Sequence, residues 1–193
     1  MAINMFLAIK KNQRGFTLVE ILVTMAIFTT AMTTVTNIFM LSNRAQRKTQ
    51  AWQQSESDAR FAMEVMAQAV RRGRVDYAYY GGIIAANPQT VLALLDNNGQ
   101  SIRFQKVLAG SVGVLQISQD GGTTWADLTP AGVSVNTVAF YLAPGTDPFA
   151  DPPANNLQPL ITIAMNTSNT SVEGATIPPT FLQTTVSSRD YLR

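Results

Sequence analysis

Arg14-Gly15-Phe16-Thr17-Leu18-Val19-Glu20 stands where a short basic segment gives way to an apolar one. From Phe16 to Leu41 the chain runs for 26 residues with a single charge, Glu20. About 20 apolar residues are enough to cross a bilayer. A carboxylate inside such a run is costly in lipid, so it marks a function by default. Lys10, Lys11 and Arg14 precede the run, and Arg44, Arg47 and Lys48 follow it. Three cations at each end leave the span without an orientation by charge alone.

Three readings of residues 1–41 compete. A secretory signal ends its apolar core at a small-x-small cleavage site. Ser42-Asn43-Arg44-Ala45-Gln46-Arg47 offers none, and 26 residues is too long for that core. A plain membrane anchor accounts for the length, but not for Glu20 or the Arg14-Gly15 junction. The third reading rests on the motif itself. It resembles the signal of type IV pilins and type II secretion pseudopilins: a basic leader, a Gly, a Phe or Met, then T-L-x-E and an apolar helix. Arg14, Gly15, Phe16, Thr17, Leu18, Val19 and Glu20 supply these elements, and Ile21-Leu22-Val23 continues them.

The resemblance implies a cleaved leader, residues 1–15, whose Lys10, Lys11 and Arg14 stay cytoplasmic. It implies cleavage between Gly15 and Phe16 by a prepilin peptidase, with N-methylation of Phe16 by the peptidase/methyltransferase. Glycine suits the cut because a residue without Cβ lets the enzyme approach the backbone closely. The other implied partners are pilin or pseudopilin subunits, the inner membrane and its assembly platform. The chain would sit in the inner membrane with its C-terminal domain extracytoplasmic. It would then enter a surface fibre or a periplasmic pseudopilus. Either Met1 or Met5 can serve as the start.

Glu20 then acquires a physical task. Cleavage frees a cationic amine on Phe16, and Glu20 of one subunit can pair with that amine on a neighbour. The pair relieves two charges that would each be expensive alone, and so sets register. The alternative is that Glu20 merely reaches to the headgroups from near the end of the span.

Composition narrows the rest. There is no Cys and no His. This excludes a disulfide framework, Cys or His metal sites and any His-based triad. No P-loop, nucleotide fingerprint or nucleophile–base pair appears, so an enzyme is not expected, and no cofactor. Without residues 1–15, 11 basic residues face 12 acidic ones, a net of about −1. The basic isoelectric point therefore gives no ground for nucleic-acid binding.

Residues 16–41 are expected to form the membrane and assembly half of one helix, and residues 42–73 its soluble half. Thr29 to Asn37 is rich in β-branched residues, weak helix formers in water. No Pro or Gly interrupts Phe16 to Arg72, which as continuous helix would span roughly 85 Å. Ala45, Thr49, Trp52, Glu56, Ala59, Met63, Met66 and Val70 alternate steps of four and three, which is one helical face. Phe61, Ala62, Val65 and Ala69 are expected to widen it, and Trp52, Met63 and Met66 to lie in the core. Gly73 reads as a helix C-cap. Arg71, Arg72 and Arg74 read as charge favourable at a helix C-terminus, with a subunit or DNA-phosphate contact as the alternative.

Residues 74–193 read as a globular β domain. Thr90–Leu95 and Ser101–Val107 flank Asp96-Asn97-Asn98-Gly99, a hairpin signature. Val114–Ser118, the Asp120-Gly121-Gly122 turn and Thr123-Thr124-Trp125 suggest a second hairpin. Val133–Leu142, Leu160–Met165 and Phe181–Val186 read as further strands around a Pro-rich loop, Ala143–Pro159. The expected fold is α+β, the pilin fold: a long N-terminal helix against an antiparallel sheet. Asp96, Asp120, Asp147 and Asp151 fall in loops but lack a calcium-loop spacing, and turns use Asp in any case. Asn166-Thr167-Ser168 and Asn169-Thr170-Ser171 match the glycosylation triplet in what reads as a loop.

Asp58–Glu64 with Arg71-Arg72-Gly73, and Leu182–Asp190, are similar to the corresponding parts of W-class minor pilins and J-type minor pseudopilins. The resemblance therefore implies a minor pilin that initiates or caps a fibre, or a minor pseudopilin of a type II secretion system. From another class, a membrane-anchored adhesin or ligand-binding module fits the same layout. Phe16 to Arg193 is 178 residues, long for a main fibre subunit.

Overall fold

The computed structural model describes residues 15–148, 157–170 and 178–188. By its contacts the chain divides into two units, Met1–Gln46 and Arg47–Arg193. Helix α1, Leu18–Arg72, contributes to both. In the first unit it is the only element among the described residues, and nearly every side chain on it is exposed. The Thr-rich stretch is helical throughout. Its hydroxyls turn back on the preceding turn: Thr29 to the Met25 carbonyl, Thr33 to Thr29 and Thr36 to Met32, each at 2.8 Å. Thr30 and Thr34 do the same to Ala26 and Thr30 at 2.9 Å. A polar side chain satisfied by its own helix can enter lipid without an orphaned donor.

In the second unit α1 packs on two antiparallel sheets, not one. β1 (Arg74–Val75), β2 (Val91–Leu95), β3 (Ser101–Ala109), β4 (Val112–Ser118) and β5 (Ala126–Asp127) form a five-stranded meander in chain order. β6 (Val133–Ala143), β7 (Leu160–Asn169) and β8 (Thr180–Ser187) form a second, three-stranded one. The β2–β3 hairpin turns at Asp96–Gly99. There the Asp96 carboxylate accepts the N–H groups of Asn98 and Gln100, and Gly99 takes φ +78°. β4 pairs with β5 through Gln116 opposite Asp127, so the second expected hairpin forms one residue beyond Trp125.

The sheets meet where β4 passes β6. Gly113 donates its N–H to the Ser134 hydroxyl at 3.0 Å, and a Cβ there would collide with the Val135 carbonyl oxygen. Both sheets contribute to one core with α1. Ala59, Ala62, Met63, Met66, Ala67 and Val70 line the helix side. Leu92, Leu94, Phe104 and Leu115 come from the first sheet. Val135, Phe140, Leu142, Ile161 and Ile163 come from the second. Three alanines on the helix let the sheet side chains approach its backbone. Phe104 and Phe140, both fully buried, fill the volume this leaves.

Four expectations need correction. The strands divide between two sheets, because β6 continues from β5 without pairing to it. Trp52 is 41% exposed: it lies on the core-facing stripe, but burial along α1 begins only at Ser55. Phe61 is 61% exposed, since its side of the helix points away from both sheets. Gly73 is not a left-handed cap, as its φ is not positive. It is required because a Cβ would sit 2.6 Å from the Leu95 carbonyl oxygen.

Candidate assembly site

Thr17 opens α1. Its hydroxyl accepts the backbone N–H of Glu20 at 3.2 Å, and its carbonyl accepts that of Ile21 at 3.2 Å. Thr17 is thus the N-cap, and Glu20 is the third helical residue. Thr-x-x-Glu is a capping-box spacing, a signal legible in the sequence beside the one read there. The carboxylate lies in the first turn, where the aligned peptide dipoles favour negative charge. Glu20 is exposed, and neither ion pair among the described residues includes it. Phe16 and Leu18 beside it are 77% and 78% exposed. Gly15 has no atom within 4 Å of where a Cβ would stand, so its backbone is open to approach. Lys10, Lys11 and Arg14 lie outside the described residues.

From Leu18 to Leu41 the helix presents large apolar side chains on every side, with Ile21, Leu22, Phe28, Ile38 and Phe39 all exposed. Such a surface is unstable in water. Lipid or other helices must cover it. Among the described residues α1 is the one helix long and apolar enough to cross a membrane.

The second unit holds a cleft of about 370 Å³ that no sequence signal announced. Arg47, Gln54 and Asp58 of α1 line it with Val133 of β6 and Asn169 of β7. Asn169 donates its amide to the Ala51 carbonyl at 2.9 Å, tying the end of β7 to the helix. A contact across 118 positions leaves no local pattern to find.

The other singled-out residues have structural roles. Arg71 pairs with Glu64 at 3.0 Å, while Arg74 belongs to β1. Asn166-Thr167-Ser168 lies inside β7, not in a loop. Ser171 of the second triplet and Asp151 lie outside the described residues, as do Arg189 and Asp190. The Asp120 carboxylate is occupied by its own turn. It accepts the Thr124 hydroxyl at 2.6 Å, the Ser118 hydroxyl at 2.7 Å and the N–H groups of Thr123 and Thr124 at 2.9 Å. These bonds, led by the one from the Thr124 side chain, hold its pKa well below the usual carboxylate range. Tyr77 donates to the Pro144 carbonyl at 3.0 Å. Tyr80 donates to that of Val91 and accepts the N–H of Ala93, both at 2.9 Å. Burial pushes both phenols up to about 12. No group of three or more acidic residues able to hold a metal ion occurs among the described residues.

Residues 10–36 match the family described as the prokaryotic N-terminal methylation motif. The match covers the basic segment, the Gly15–Glu20 stretch and most of the apolar run, and it stops short of the β domain. No curated protein and no solved structure matches the chain. Residues 10–36 thus carry this methylation motif, and it leads into a long helix that packs on antiparallel sheets, an α+β arrangement consistent with the pilin fold.

Proposed function

We propose that the protein is a minor type IV pilin. It is cut between Gly15 and Phe16, methylated on the Phe16 amine and held in the inner membrane by residues 16–41. It then enters a fibre that it initiates or caps. The observation that carries this reading is a bare apolar helix with one carboxylate in its first turn, four residues from the proposed new terminus. A span that remained single in lipid would gain nothing from Glu20. A span that joins a helical bundle gains a partner for the Phe16 amine of a neighbour. Charge alone does not orient the span; the resemblance of the motif to prepilin signals is what puts Lys10, Lys11 and Arg14 on the cytoplasmic side in this reading.

The test is Glu20→Ala. The leader should be removed from this variant at the normal rate, while its recovery in sheared surface fibres falls at least tenfold. Normal recovery would refute the pairing.

A minor pseudopilin is the second reading, since Asp58–Glu64 with Arg71-Arg72-Gly73, and Leu182–Asp190, resemble J-type proteins as much as W-class ones. Retention in the envelope, with loss of protein secretion on deletion, would decide for it. Presence in sheared fibres would decide for the pilin.

A further inference from the structure

Between Glu20 and Glu56 the chain contains no carboxylate, and its only charges are Arg44, Arg47 and Lys48. The three cations begin three positions beyond Leu41, where the uncharged run stops. All are exposed on α1, and the ion pairs Arg60–Glu56 and Arg71–Glu64 do not include them. Arg44 is spaced three from Arg47 and four from Lys48. Like charges at those helical spacings repel, so the arrangement is unfavourable in water without an anionic counterpart.

The position of the cations points to that counterpart. The helical part of the run, Leu18 to Leu41, extends about 36 Å, against roughly 30 Å of hydrocarbon, and tilt absorbs the surplus. Leu41 then reaches the edge of the hydrocarbon. Arg44, Arg47 and Lys48 fall about 4 to 11 Å further along the helix, where long cationic side chains reach back into the headgroup layer. That layer carries the phosphates.

We propose that Arg44, Arg47 and Lys48 form a binding site for anionic phospholipid headgroups, which seats the outer end of the span. The proposal rests on the membrane anchoring described above. It gives the subunit an electrostatic latch at the membrane surface, one that must be released when the helix leaves the bilayer for a fibre. A carboxylate-rich protein partner is the competing occupant, and the test separates the two.

The full chain is reconstituted into phosphatidylcholine vesicles with and without phosphatidylglycerol. It is then released in mild detergent, and the retained lipids are counted by native mass spectrometry. The wild-type protein should retain phosphatidylglycerol several-fold over phosphatidylcholine. The combined variant Arg44→Gln, Arg47→Gln, Lys48→Gln should lower that ratio at least threefold. Glutamine keeps the helix, and far-ultraviolet circular dichroism checks that it does. An unchanged ratio in the variant, or no preference in the wild type, overturns the headgroup site and leaves the protein partner. Flotation with pure phosphatidylcholine vesicles reads the anchor separately. A chain that fails to float refutes the anchoring, and the proposal with it. A chain that floats without lipid preference refutes the headgroup site alone.

Discussion

The Ser188 hydroxyl donates to the Gly73 carbonyl at 2.6 Å, joining the residue after β8 to the residue after α1. Ser188 is almost fully buried, and it lies 115 positions from its partner. The end of α1 and the end of β8 therefore meet at a shared hydrogen bond. Ser188→Ala strips a buried carbonyl of this partner and should cost about 1–3 kcal/mol. Gly73→Ala forces a Cβ against the Leu95 carbonyl oxygen and should cost a similar ~1–3 kcal/mol. Urea unfolding of the full chain in detergent measures both. A change near zero in either would mean that this corner relaxes freely.

Phe104 and Phe140 occupy the core from different sheets. Truncation of either to Ala should cost about 3–5 kcal/mol, as expected for a large aromatic side chain leaving a cavity. Phe61→Ala, on the exposed side of the same helix, should fall within about ±0.5 kcal/mol. Equal losses at Phe61 and Phe104 would contradict the assigned helix face.

Asp120 sets an acid limb. Its folded pKa lies below that of the unfolded chain, so the unfolded state binds the proton more readily. Its contribution is present above the ordinary carboxylate range and is lost as pH falls through the lower folded value. Asp120→Asn should flatten the fall in stability below pH ~4, measured by thermal melts across an acid series.

Tyr77 and Tyr80 set the alkaline limb with the opposite sign. Their folded values of about 12 exceed the ordinary phenol value of 10.0. Their contribution is complete below pH 10 and is lost as pH rises from there through about 12. Tyr80→Phe also removes the link between Val91 and Ala93. It should lower stability at neutral pH while making the alkaline decline shallower. An unchanged alkaline slope would show that Tyr80 is not one of the groups that titrate.

Gly15→Val tests the proposed processing. A branched side chain at the residue before the cut should obstruct close approach by a peptidase, leaving full-length precursor on immunoblots. Amino-terminal sequencing of the wild-type protein should begin at methylated Phe16. Any other start would refute the assignment.

Much of this molecule is local, and the local part was legible. The Gly15–Glu20 motif, the uninterrupted helix and the Asp96–Gly99 turn depend on neighbours within a few positions. Glycine absence, carboxylate capping and apolar periodicity therefore report them directly. The Thr17–Glu20 cap was equally visible, as a spacing with a second meaning. The ends of burial were not. Trp52 and Met63 share a helical stripe, but only Met63 lies under the sheets, and periodicity carries no information about where a sheet stops. The same holds for the short strands β1 and β5, two residues each, which pairing creates rather than propensity.

The sequence by itself determined the apolar helix with its lone carboxylate, the cations around it and the α+β class, because each follows from residue type and short spacing. Only the tertiary structure decided that the strands form two sheets, that Gly73 and Gly113 are places of close approach, and that Ser188 bonds the carbonyl of Gly73. Those outcomes depend on which distant surfaces meet. Burial and hydrogen bonding across 100 or more positions select the partner, and no local pattern encodes that choice.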